Sequence, residues 1–231
     1  QEAKAESAKA AETAPVAGNG DYSTTNVQVQ GVDEADIVKT DGEYIYQVNK
    51  NRVVVTRAYP ADEMKVCGIV DFNGKDFIPE ELYLDGQRMV VIGQSYGDIV
   101  QGKADTKQSV EVNRPAYAQR TVRAIVYDIT DRTNLVKLRE AELEGNYVSS
   151  RKIGSNLYIV ANRYIEYYRP QSGSEDILPV YRDTALSNEP ITVDCSEIRY
   201  FPGFCEPNYM MVASMDCLLY TSPSPRDRQK S

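Results

Sequence analysis

The sequence predicts an all-β fold built from a repeated four-stranded antiparallel meander. Three observations carry that expectation. A strand–turn–strand pattern recurs as VKTDGEYIYQV, LYLDGQRMVVIG and RKIGSNLYIVA. Its turn glycines are spaced almost regularly: 44 residues separate Gly42 from Gly86, and 68 separate Gly86 from Gly154. The stretches between them are rich in β-branched and aromatic residues bounded by turn residues.

Each element follows in order. Residues 1–21 are Ala-, Glu- and Lys-rich and end in PVAGNG, with no apolar face to bury; a disordered linker is expected. From Tyr22 the pattern is β. Ile37–Thr40 and Tyr44–Asn49 flank Asp41-Gly42, a turn pair in which Asp bonds nearby backbone and Gly accepts positive φ. Val53–Arg57 and Met64–Phe72 complete a first blade. The second blade reads Glu81–Leu84, Met89–Gly93, Val122–Ile129 and Val136–Leu143, interrupted by a polar insertion from Tyr96 to Arg120. The third reads Tyr147–Ile153, Leu157–Tyr164 and, after a longer insertion from Glu166 to Asn208, Tyr209–Ser214, with its fourth strand absent. A spacing near 44 residues suits one propeller blade, and the larger second spacing contains the polar insertion. The expected architecture is a partial β-propeller, roughly three four-stranded antiparallel blades with two long insertions, over 22–216. Residues 217–231 open with CLLYTSPSPRD, which resembles a back-translated sequencing-library adapter; a non-native tail is expected there.

Composition narrows the function. The 231 residues carry a net charge of -8, which argues against a nucleic-acid partner. With no His, the Ser-His-Asp and Cys-His nucleophile systems and His-ligated zinc are excluded. The four cysteines, Cys67, Cys195, Cys205 and Cys217, show no two-residue spacing of a zinc or redox motif. Neither catalytic residues nor a cofactor emerge.

Four groups remain as candidates. Asp33, Glu34, Asp36 and Asp41 crowd one loop. They offer either the oxygen ligands of a calcium ion or ordinary solvated and backbone-capping acids. Cys195 and Cys205 flank SEIRYFPGF, where a disulfide would close the insertion and two buried thiols are the alternative. Arg163, Tyr164, Tyr167, Tyr168 and Arg169 form an aromatic-basic cluster at a strand end. It suits a ligand surface, or else strand-edge packing. Asp183, beside Arg182, and Glu197 could pair as hydrolase carboxylates, although such pairs arise by chance in an acidic chain.

Thr25–Tyr46, Tyr127–Asn162, Leu178–Asp183 and Tyr200–Asp216 together resemble the secreted bacterial β-propeller proteins distantly related to WD-repeat proteins. The resemblance implies an extracytoplasmic propeller, with an anchor or wall tether upstream of Gln1, of which this chain holds not quite three blades. It implies no catalytic residues. The first expectation is a surface scaffold that binds a protein or cell-wall glycan through its insertion loops. A hydrolase-type enzyme with its site at the mouth of a complete ring, and a calcium-stabilised structural module, are the alternatives.

Overall fold

The computed structural model describes residues 31–96, 120–165, 178–203 and 208–217. The chain leads in through β1 (Val32–Asp33). It then forms a meander of β2 (Val38–Thr40), β3 (Tyr44–Asn49), β4 (Arg52–Arg57) and β5 (Lys65–Asp71), paired antiparallel in that order. Asp41 builds the first turn: its Oδ1 accepts the N–H groups of Glu43 and Tyr44, and Gly42 takes φ 96°. Gly86 and Gly154 repeat the positive φ, both at 57°, so the three glycines predicted to be equivalent are so in backbone conformation.

The second sheet begins with β6 (Ile78–Asp85), β7 (Arg88–Tyr96), β8 (Arg120–Asp128) and β9 (Val136–Glu144). The third contains β10 (Asn146–Ile153) and β11 (Asn156–Tyr164). Two differences from the sequence expectation follow. Part of the second insertion is structured. Residues 180–192 form a hairpin of β12 (Val180–Asp183) and β13 (Ser187–Thr192), and β12 pairs with β9. The second sheet is therefore six-stranded, in the order β13-β12-β9-β8-β7-β6. The third sheet also has four strands rather than three. Beyond β11 lies β14 (Asn208–Asp216), and at the opposite edge β1 pairs with β10. A two-residue strand embedded among acids has no periodicity to betray it; the free edge of β10 supplies the reason it forms. The extended run at 26–30 falls outside the described residues.

Strand alternation turns each sheet into a two-faced slab, and two apolar clusters glue the slabs together. Tyr46, Val53 and Val55 of the first sheet pack on Leu82, Met89 and Val91 of the second. From the other face of the second sheet, Val90, Ile92 and Ala124 pack on Leu157, Ile159 and Ala161 of the third. Adjacent residues Val90 and Val91 thus serve different clusters, as the two-residue period requires. Each fully buried side chain of this kind contributes about 1.5–3 kcal/mol. Cys217, placed by the sequence expectation in the tail, lies in the second of these clusters, and its N–H donates to the Ser155 carbonyl at 2.9 Å.

Candidate functional site

The four acids of the leading loop diverge to separate partners. Asp33 accepts from Lys39 Nζ at 2.8 Å, and Glu34 faces Arg151 Nη2 at 3.2 Å. Asp36 accepts its neighbour's N–H, from Ile37, and its backbone bridges Leu82 of β6 in both directions. Residues 32–36 thereby run along the free edges of β10 and β6 before turning into β2. Asp41 is the most heavily used of the four. Besides its two turn bonds, its Oδ2 accepts from Tyr46 Oη at 2.9 Å and from Arg132 Nη2 at 3.1 Å. Burial raises the Asp41 carboxyl, but the turn N–H groups, Arg132 and Tyr46 outweigh it and hold it below its ordinary value. Arg132 sits on the β8–β9 turn, so this contact locks the second sheet to the first. Among the described residues, no three Cys, Asp or Glu side chains gather to hold a metal ion.

A carboxylate ladder occupies the second sheet. Glu142, fully buried, accepts from Thr121 Oγ1 at 2.6 Å, Arg123 Nε at 2.9 Å and Arg182 Nη2 at 2.7 Å. Glu140 accepts from Arg182 Nη2 at 2.7 Å and Lys137 Nζ at 2.9 Å. Burial raises Glu140, yet Lys137, Arg123 and Arg182 bring it below its ordinary value. Asp183 accepts from Arg139 Nε and from the Ala185 N–H, each at 2.9 Å. Burial raises the Tyr181 phenol, followed by Glu197 and Asp183. Asp183, however, is bonded through both oxygens to Arg139, and Glu197 lies exposed in the single 3-10 turn at Cys195–Glu197. These ions fasten the β12–β13 hairpin to β9. The sequence singled out Arg182 and Asp183; it missed their partners Arg139, Glu140 and Glu142, which lie on β9 with no motif to mark them.

The aromatic-basic cluster divides. Arg163 is buried, with its Nε 2.8 Å from Glu144 Oε1 and its guanidinium over the Tyr209 ring. Tyr164 is 63% exposed at the end of β11. Tyr167, Tyr168, Arg169 and Cys205 fall outside the described residues. Cys195 is an exposed free thiol.

What the structure does bring together are the roots of both insertions. Residues 97–119 follow β7, and 165–207 follow β11. Both roots converge on the β9–β10 junction. The Gly145 N–H donates to the Arg120 carbonyl at 2.8 Å, and Arg120 Nη1 reaches Asn146 Oδ1 at 3.4 Å. Asn146 Nδ2 donates to the Asn162 carbonyl at 3.4 Å. Glu144 faces Arg163 through one oxygen and accepts the Val180 N–H through the other at 3.0 Å. The Arg120 guanidinium also lies over the Tyr96 ring, 5.2 Å from its centroid. The described roots of both insertions therefore share a common hydrogen-bonded base.

Comparison with known proteins agrees with this architecture. A family model described as the beta propeller domain matches residues 22–223. An uncharacterised protein of the archaeon Archaeoglobus fulgidus is 25% identical over 193 residues, covering 78% of this chain and 24% of its own length. An uncharacterised protein of Methanocaldococcus jannaschii is 26% identical over 219 residues, covering 87% of this chain and 28% of its own length. The chain thus spans about a quarter of the length of the curated relatives it matches. No solved structure matches significantly. Successive antiparallel sheets packed face on face, and a family match across most of the sequence, place this chain in the beta propeller domain family.

Proposed function

We propose that the chain is an extracytoplasmic binding scaffold that recognises a protein or a cell-wall glycan at the end where its two insertions leave. The convergence of both insertion roots on the β9–β10 junction carries this reading. Rigid sheets that present long loops from one end are a recurrent arrangement for recognition. The framework's acids support it from the other side: those resolved above are engaged by cations and backbone N–H groups, and so serve as struts rather than as free acids or bases. The likeness of the leading segment to secreted propellers supports the extracytoplasmic placement.

The test replaces 97–119 and 166–177 with short Gly-Ser turns. Parent and replaced chains are then compared for co-sedimentation with insoluble cell-wall glycan and for capture of a cell-surface protein fraction. The parent is expected to bind one of the two and the replaced chain neither, with the melting temperature unchanged. Equal binding by both chains would sink the proposal. Tyr164→Ala is expected to weaken the same binding about tenfold, the usual loss for an aromatic anchor.

A further inference from the structure

The β5–β6 connection, residues 72–77, holds a chemically reactive pair. Among the described asparagines, Asn73 alone is followed by glycine. Asn73 and Gly74 are the central residues of a β-turn, closed by the Lys75 N–H donating to the Phe72 carbonyl at 3.0 Å. Gly74 takes φ 71°, a conformation that glycine adopts without strain. A β-carbon on Gly74 would meet nothing within 4 Å, and both residues are exposed, so neither water nor base is kept from the turn. No acceptor among the described residues takes the Gly74 N–H. The Asn73 carboxamide is held beside it: Asp71 Oδ1 accepts the Asn73 N–H at 2.8 Å and Asn73 Nδ2 at 2.7 Å.

Two other turns share the glycine but not the amide. Asp41-Gly42 and Asp85-Gly86 carry carboxylates, which face Arg132 at 3.1 Å and Lys152 at 3.3 Å. A carboxylate kept ionised by a cation is a far poorer electrophile than a carboxamide, and asparagine amides are among the thermolabile groups of a protein.

We propose that Asn73 is a site of spontaneous covalent modification, in which the Gly74 nitrogen closes on the Asn73 side chain and water is the co-reactant. The Gly74 N–H gives its proton to solvent base, and the nitrogen attacks Cγ. The N–Cγ bond forms, the Cγ–Nδ2 bond breaks, and Nδ2 takes a proton from solvent and leaves as ammonia. One water then opens the cyclic imide: its hydroxyl adds to a carbonyl carbon and its remaining proton goes to the ring nitrogen. Cleavage at Cγ gives aspartate, and cleavage at the main-chain carbonyl gives isoaspartate. Nothing is oxidised or reduced. Either product puts a second carboxylate beside Asp71 where an N–H donor stood, and like charges at that range repel. Isoaspartate also adds a carbon to the main chain between Phe72 and Phe77. Both rings are buried in the cluster that joins the first and second sheets, in edge contact with centroids 4.8 Å apart. Modification therefore loosens that joint.

Incubation of the full 231-residue chain in mildly alkaline buffer, with tryptic peptides followed by mass spectrometry, tests this. Peptide 66–75 is expected to gain the mass of an amide-to-acid exchange, to take up heavy oxygen from labelled water, and to separate into aspartate and isoaspartate forms. Asn19-Gly20, the same dipeptide elsewhere in the chain, is an internal clock. Asn73→Gln should abolish the change in 66–75 and leave the change at Asn19 intact. The converted chain should melt at a lower temperature than the fresh one, with Asn73→Asp reproducing part of that shift. A folded chain whose Asn73 amide persists after Asn19 has converted would overturn the proposal. So would conversion of Asn73 only in urea, aspartate formed without isoaspartate, or a converted chain as stable as the fresh one.

Discussion

Asp41 shows how one side chain can serve local and long-range structure together. Its Oδ1 shapes the β2–β3 turn, and its Oδ2 reaches Tyr46 and, 91 residues on, Arg132. The turn role was legible from Asp41-Gly42; the lock was not, because Arg132 stands in an ordinary polar turn, TDRTN, with nothing local to mark it. Arg132→Ala should destabilise the chain by about 1.5–3 kcal/mol, the usual worth of a hydrogen bond to a charged group. A denaturant midpoint shift without a change in slope would record it. The pH dependence has a definite sign. The Asp41 carboxyl is held below its ordinary value of 3.8, so its contribution is complete above that pH and is lost as pH falls through the lower folded value. Asp41→Asn should therefore lower stability at neutral pH and flatten the acid limb of the stability curve. An acid limb of unchanged steepness would show that other carboxylates govern it.

At the scale of elements, the sequence was most informative where contacts are local and least where they are distant. β3 occupies the predicted Tyr44–Asn49, and the strands around Gly86 and Gly154 fall within a few residues of their expected bounds. Asp-Gly turns and β-branched alternation are signals contained within a hairpin. The β12–β13 hairpin escaped notice because Pro190 and Glu189 interrupt any strand pattern there, and because its partner β9 lies more than 35 residues back. What holds it is the ion pairing. Asp183→Ala would leave the buried Arg139 guanidinium without its carboxylate, a loss of about 3–5 kcal/mol. Faster hydrogen exchange across 180–192, ahead of the β7–β8 pair, would locate that loss in the hairpin. A close backbone approach constrains β7 in another way. A Cβ at Gly93 would sit 2.1 Å from the Ile78 carbonyl oxygen and 2.8 Å from the Phe77 ring. Gly93→Ala should consequently cost about 1–3 kcal/mol through overpacking, read as a lowered denaturant midpoint.

Across the whole molecule, the second sheet decides how cooperative the chain is. Its two faces contribute to both apolar clusters, and the ladder from β6 to β13 joins them through continuous backbone pairing. Val91 serves the junction with the first sheet, and Ile159 the junction from the third. Neither junction can open without exposing a face of that shared slab, so loss of one weakens the other's support. The expected behaviour is one unfolding transition rather than three blade-wise steps. Ile159→Ala should lower it by about 2–5 kcal/mol, with Val91→Ala acting in the same direction and somewhat less because fewer methyl groups leave. Both should move the same midpoint by circular dichroism and by tyrosine fluorescence. The two substitutions lie in different clusters and share no packing partner, so their effects should add within about 0.5 kcal/mol if the slab is rigid. Two resolved transitions, with each substitution shifting only one, would mean that the second sheet does not couple its neighbours and that each blade pair melts on its own.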